Sequence, residues 1–274
     1  MRFGVLILLA LILSSCGKSD LTPLNSVNSS NNISKQPIET NTTEEKEPIV
    51  QGENKLEINQ VSYTKNNVNI FYPEIVQFDD SQRKKELNDL LKNEALQAVD
   101  YFGGREKGAE ININYVAKWT GSQLLSIQYV GLGYAKGAAY PNNILFTTNL
   151  DVENGRKIKL KDMFTIDDRF VNLLKAGKYI PYDPTLDVES QAKDEISKIS
   201  NTDWIAYLTN ADEVSDDNEL KIFSYFTNDS LGISISVPHV LGDHVEFEIN
   251  YQDLKDNIVK ANGVWNVLLP NTAN

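Results

Sequence analysis

The two histidines, His239 and His244, flank Gly242-Asp243. A His/Asp grouping of this kind can hold a transition metal. The spacing argues against it here, because strand alternation sends residues five apart to opposite faces and the intervening glycine marks a turn. No third ligand accompanies the pair. With 2 His and 1 Cys in 274 residues, neither a multi-histidine centre nor a thiolate zinc site is expected. The run Asp212-Glu213-Val214-Ser215-Asp216-Asp217-Asn218-Glu219 carries oxygen ligands of the type calcium takes. It lacks the EF-hand spacing and central glycine, and Asp151 to Arg156 misses that register too. The run reads as a solvated acidic loop. Gly-x-Ser-x-Gly, His-Glu-x-x-His and a Cys–His pair are all absent. Among 38 Asp and Glu residues a carboxylate pair of the glycosidase type is always available, but nothing singles one out. The expectation is therefore a non-enzyme without metal or cofactor, the alternative being an envelope glycan hydrolase that uses two carboxylates.

The loop Gly131-Leu132-Gly133-Tyr134-Ala135-Lys136-Gly137-Ala138-Ala139-Tyr140-Pro141 is the most unusual stretch of the chain. Its glycines let the backbone take positive φ or approach another surface closely. It has neither the Gly-Lys-Ser/Thr ending nor the Rossmann spacing of phosphate-binding loops. One reading is a binding loop that shows Tyr134 and Tyr140, with Gly137 and Pro141 shaping it, since Tyr gives contact area at low entropic cost. The other is a structural connection with its tyrosines packed inside. Trp119 and Trp204 are possible stacking faces for a glycan, with burial in the core as their alternative.

Chemistry of another kind is written near the N-terminus. Arg2 and the apolar run Phe3 to Leu13 form a secretory signal, too short for the roughly 20 residues that cross a bilayer. Leu13-Ser14-Ser15-Cys16 has the form of a lipobox, and Cys16 is the only cysteine. The expectation is a signal peptide over 1–15 and diacylglyceryl modification of Cys16, whose acyl chains anchor the protein to a membrane surface at about 0.8 kcal/mol per buried methylene. Gly17 and Lys18 follow the cysteine, so the Asp of a Gram-negative inner-membrane retention signal is absent. Residues 16–55 are rich in Asn, Ser, Thr, Glu, Lys and Pro and carry no aromatic residue. Such a segment cannot bury enough apolar surface to fold, and ~40 flexible residues have an r.m.s. span near ~35 Å.

Every Trp and Tyr and all but one Phe lie from Leu56 onward, leaving about 220 residues to build a core. Leu56 to Tyr63 and Val68 to Tyr72 alternate as a hairpin around Lys65-Asn66-Asn67, ended by Pro73. Asp79-Asp80-Ser81 offers N-caps to a helix carrying Leu87, Leu91, Ala95, Ala98, Val99 and Phe102, which Gly103-Gly104 stops. Ile111 to Trp119, Leu124 to Val130, Leu145 to Val152 and Lys157 to Leu160 read as strands, the last two joined by an Asn154-Gly155 turn. Asp168 to Ala176 and Asp187 to Ile199 read as helices and Trp204 to Leu208 as a short further turn. Leu220 to Phe226, Leu231 to Val237 and Val245 to Ile249 read as late strands, with Val264 to Leu269 as a small edge strand. This order predicts an α+β fold, mostly antiparallel sheet with helices packed on one side.

Several of these segments resemble the exported PdaC/RsiV-type module, a DUF4163 part followed by a DUF3298 part. They are Ile70-Phe71-Tyr72-Pro73-Glu74-Ile75, the helix with Asn88, Leu124 to Tyr134 with Gly137-Ala138-Ala139-Tyr140-Pro141, and Leu150-Asp151 through Gly155 to Phe164. Pro238-His239-Val240-Leu241-Gly242-Asp243 and Ile249 to Leu254 complete the likeness, which covers most of Leu56 to Asn257. It implies a division into 56–150 and 151–274. That module occurs in the outer part of a lysozyme-sensing anti-sigma factor and ahead of the catalytic domain of a peptidoglycan deacetylase. The deacetylase's catalytic domain and the anti-sigma factor's membrane span have no counterpart here. Where the family often has His before the loop proline, this chain has Tyr140.

Together with the lipobox at Cys16, the resemblance implies a lipid-anchored, extracytoplasmic binding module of the cell envelope. A formal net charge of −12 repels phosphate backbones, so nucleic acid is not an expected partner. The same charge steers cationic proteins, which points to lysozyme-like hydrolases, with peptidoglycan as the other expected ligand.

Overall fold

The computed structural model describes residues 55–102, 108–185, 187–214, 220–260 and 263–268. The signal peptide, Cys16, the tether up to residue 54, the Gly103-Gly104 stop and residues 215–219 of the acidic run lie outside the described residues. From Lys55 on, the described residues belong to one compact unit, which spans the 150/151 division.

Strands β1 (Ile58–Lys65) and β2 (Val68–Ile75) form the expected hairpin, with Asn66 at φ 53° in the turn. Pro73 does not end β2. The neighbour on β2's other side pairs only with Val68, Asn69 and Ile70, so a missing N–H at Pro73 costs no ladder bond there. Helix α1 (Ser81–Tyr101) starts on Asp80, whose carboxylate accepts the N–H groups of Gln82 and Arg83. Asn88 clamps the strand before it: its Oδ1 accepts from Ile75 N at 2.8 Å and its Nδ2 donates to Ile75 O at 3.1 Å. After α1 come β3 (Glu110–Thr120), which runs parallel to β2, then β4 (Leu124–Tyr134), β5 (Asn142–Asp151) and β6 (Arg156–Ile158), all antiparallel, giving a six-stranded sheet in sequence order. Residues Gly131 to Tyr134, read as loop from their glycines, belong to β4.

One face of this sheet, with Ile70, Ile111, Ile113, Leu125, Ile127, Tyr129 and Phe146, meets Leu87, Leu91, Ala95 and Ala98 of α1. Each large apolar side chain buried this way contributes about 1.5–3 kcal/mol.

The chain continues through α2 (Leu160–Met163), α3 (Asp168–Lys175), β7 (Lys178–Ile180), α4 (Glu189–Ser197) and α5 (Asn201–Thr209). Strands β8 (Ile222–Phe226), β9 (Ser230–Ser236) and β10 (His244–Asn250) then join β7 in a second antiparallel sheet of order β7-β10-β9-β8. Alternate residues Leu231, Ile233 and Ile235 of β9 and Val245, Phe247 and Ile249 of β10 face a core shared with Phe170, Leu174, Ile196, Trp204 and Leu208 of α3, α4 and α5. The α+β class and the mostly antiparallel pairing are as expected, in two sheets, each carrying its helices on one face.

Three local expectations change. Trp204 to Leu208 is not a short turn but part of the full helix α5, because Ser200 caps it and Trp204 and Leu208 bury one face at helical spacing. Lys157 to Leu160 is divided between β6 and α2. Val264 to Leu269 is no edge strand: it holds α7 (Trp265–Leu268), following α6 (Tyr251–Leu254), and Val264, Trp265 and Leu268 recur at helical spacing and are buried together. Leu269 lies outside the described residues.

The inner faces of the two sheets meet through polar groups. Gln128 Nε2 donates to Glu246 Oε2 at 2.7 Å, Thr147 Oγ1 to Ser224 O at 2.6 Å, and Ser126 Oγ accepts from Phe226 N at 2.9 Å. Asp212 is a further pin. Its carboxylate accepts from Leu160 N at 2.7 Å, Ser224 N at 2.5 Å and Ser224 Oγ at 2.8 Å. Burial pushes this carboxyl above the usual range, opposed by those hydrogen bonds and by Lys157. The first residue of the acidic run is thus a buried structural acid rather than a solvated one. The next, Glu213, pairs with Lys159, which holds its carboxyl below the usual range.

Candidate functional site

Three chain segments converge beyond the ends of β4, β7 and β9. The first is the loop from β4 to β5. Ala138 N donates to Ala135 O at 2.9 Å, closing a four-residue turn whose third residue, Gly137, has φ +91°, a conformation that favours glycine. Tyr134 OH donates to Ala138 O at 3.0 Å, so this half-buried tyrosine shapes the loop from inside. Tyr140 and Pro141 stand exposed.

The second segment follows β9. Pro238 leads into a single 3-10 turn, His239–Leu241, which closes on Gly242 at φ +100°; Asp243 comes next at φ +69°. A non-glycine residue in the left-handed region persists where its surroundings hold it. Here Asp243 Oδ2 accepts from Asn143 N at 2.7 Å, and both carboxylate oxygens lie 2.9 and 3.0 Å from His239 Nδ1. Asn143 Nδ2 donates to Gly242 O at 3.2 Å.

The third segment follows β7. Tyr182 OH donates to Asn143 Oδ1 at 2.8 Å, and its ring meets His244 edge-on with centroids 5.3 Å apart. Asn143, the second residue of β5, therefore ties all three segments together. On this frame the Tyr140 ring lies parallel to the His239 imidazole, 3.8 Å between centroids and 7° between planes. The outer surface is apolar and aromatic: Tyr140 is 51% exposed, Tyr182 49% and Val240 84%. Leu132, opposite Asn143 in the β4–β5 ladder, is 45% exposed.

The sequence-predicted residues divide. Tyr134, Gly137, Tyr140 and Pro141 all belong to this loop end. Trp119 does not. The ladder slips between Ala117 and Trp119, so Trp119 pairs with Ser126 rather than Leu125, which sends its ring to the inner face and into the second core, 9% exposed. Trp204 is buried as well, its Nε1 donating to Ile196 O at 2.9 Å. Neither ring is open to a ligand. The two histidines are not both surface residues: His239 is exposed, whereas His244 starts β10 on its inner face and is buried. Burial pushes His244 down to about 4, with Asp243 pulling the other way. Among the described residues no three of His, Cys, Asp and Glu gather as a metal site. Glu246 is held above the usual carboxylate range by burial, while Gln128, Tyr225 and Lys118 act in the opposite direction.

Asn143, Tyr182 and Val240 were invisible as site residues in the sequence. The one usable signal was Gly242-Asp243, a pair suited to left-handed backbone.

No protein-family model matches the sequence, and no curated protein does. The solved structures similar to this chain include the following two. One is a member of the DUF3298 family from Bacteroides fragilis, with a TM-score of 0.48 and 15% identity over 80% of this chain and 100% of that chain. The other is a DUF3298 family protein from Pseudomonas aeruginosa, with a TM-score of 0.48 and 11% identity over 75% of this chain and 95% of that one.

Proposed function

We propose that this chain is a non-enzymatic binding module of the cell envelope, anchored through Cys16, whose loop end around Tyr140, Tyr182 and Val240 captures a cationic extracytoplasmic protein of the lysozyme type. The observation that carries the reading is the exposure of these three side chains on a frame held from below by Asn143 and Asp243. Large side chains normally left to the core are here displayed by three separate segments and held in place before any partner arrives. Such preorganisation lowers the ordering cost of binding, and exposed aromatics are the usual anchors of interfaces. The net charge of −12 favours a cationic partner and predicts that its capture weakens as salt rises.

The lipobox and the likeness to the PdaC/RsiV-type module support the envelope location. Two buried acids are committed to structural hydrogen bonds, Glu246 to one that joins the sheets and Asp212 to bonds that tie the start of α2 to β8, which favours a structural over a catalytic use of them. The exposed Tyr140 ring also offers a stacking face to sugars, so peptidoglycan is the competing ligand. Binding of the full chain to a cationic lysozyme and to insoluble peptidoglycan, each at low and high salt, separates the two. Salt-sensitive capture of lysozyme supports the proposal, and salt-insensitive sedimentation with peptidoglycan alone refutes it.

A further inference from the structure

The imidazole of His239 stands on the loop end with its two nitrogens in different situations. Nδ1 lies 2.9 and 3.0 Å from the two oxygens of Asp243, and no described residue hydrogen-bonds Nε2. A carboxylate has no proton to give, so Nδ1 is the nitrogen that carries one. In the neutral ring Nε2 is then a bare acceptor, with its lone pair in the ring plane. The carboxylate on Nδ1 also makes Nε2 more basic, as it does in histidines that bind metals. Tyr140 covers one face of the ring and Asp243 takes the Nδ1 edge, yet the side chain stays 37% exposed. The surface left open is the second face and the far edge, where Nε2 lies. Turning the ring over would break the bond to Asp243.

We propose that His239 Nε2 accepts a hydrogen bond from a Lys ammonium or an Arg guanidinium of the captured protein, an inference that rests on the reading of the loop end as a capture face. The surroundings select that donor. Lys and Arg side chains carry donors and no acceptor. The Asp243 carboxylate behind the ring and the net charge of −12 favour a positive group. The Tyr140 ring, 51% exposed with one face on His239, offers the same cation a second contact. A partner carboxylate would meet a lone pair with a like charge behind it. A neutral donor fits Nε2 but gains nothing from that charge.

The test joins ¹⁵N spectra of the His239 ring to binding of the full chain to a cationic lysozyme at low salt and about pH 8, where an ordinary histidine is neutral. The free chain should show the proton on Nδ1. Saturation with lysozyme should move the Nε2 signal toward that of a protonated nitrogen, which a merely structural role of the ring would not do. His239→Asn keeps a side-chain N–H for Asp243 and loses the acceptor. His239→Phe keeps a ring against Tyr140 and loses it too. Both should bind lysozyme about tenfold or more weakly, equivalent to roughly 1.4 kcal/mol. A proton on Nε2 in the free chain, an unmoved Nε2 signal in the saturated complex, or wild-type affinity in either variant would overturn the inference. Each of these leaves the capture reading standing, whereas a wild-type chain that does not bind lysozyme ends both.

Discussion

The ring of Tyr140 lies flat against the imidazole of His239, 3.8 Å between centroids, although one belongs to the loop before β5 and the other to the turn after β9. The stack is possible because Asp243 holds His239 through Nδ1 and Asn143 through its backbone N–H at the same time. One carboxylate thus places an exposed aromatic pair on the loop end.

Removing that carboxylate should disturb the whole frame. Asp243→Ala loses a charge-assisted hydrogen bond, worth about 1.5–3 kcal/mol, and puts Ala at positive φ, worth roughly 1–2 kcal/mol more. Asp243→Asn tolerates the backbone and keeps an acceptor, so it should cost distinctly less. Urea unfolding of the two variants measures the difference, and equal losses would contradict it.

The exposed side chains should behave oppositely. Val240→Ser and Tyr182→Phe remove little that is buried, so Val240→Ser should change stability by no more than about 0.5 kcal/mol, and Tyr182→Phe by about 1 kcal/mol for its one hydrogen bond. Val240→Ser, which leaves the charge unchanged, should nevertheless cut lysozyme binding about tenfold or more, as loss of an interface anchor does. Thermal unfolding alongside binding separates the two effects.

His244 makes stability depend on pH with a definite sign. Its folded value is about 4 against 6.5 for the free side chain, so the unfolded chain binds the extra proton first. Its contribution is fully present above pH 6.5 and is lost as pH falls toward 4, by about 3 kcal/mol at most at 1.36 kcal/mol per unit. Asp212 and Glu246, whose values are raised by burial, act in the other sense, because protonation at low pH relieves their ionised forms. His244→Gln should therefore flatten the wild-type loss of stability between pH 6.5 and 4. Identical pH profiles would contradict this.

Much of this fold is legible in the residues. Asp80 announces α1, and Leu87, Leu91, Ala95 and Ala98 give its buried face; Asn66-Asn67 and Asn154-Gly155 mark the hairpins. The three-residue β7 carries too short a pattern to read, and Trp119 stayed open between stacking face and core because a bulge leaves no mark in the alternation. The loop residues Tyr134, Gly137, Tyr140 and Pro141 stood out by composition. Their partners Asn143 and Tyr182 did not, and His239 stood out only as a metal candidate, since these residues meet the loop only through the docking of the second sheet on the first, which no local pattern encodes.

Anchoring has its own test. Cys16→Ala should abolish membrane association and leave the far-ultraviolet spectrum and unfolding midpoint unchanged, because the proposed acyl chains act outside the folded unit. Fractionation of cells that express the variant measures it, and a variant still held at the membrane would contradict lipid anchoring.

The most direct test of the proposed binding face is hydrogen exchange of the full chain with and without saturating cationic lysozyme at low salt. Protection concentrated in residues 135–143, 181–185 and 238–243, and weakened in Val240→Ser at the same lysozyme concentration, is the predicted result. Lack of saturable binding, or protection confined to other parts of the chain, would contradict it.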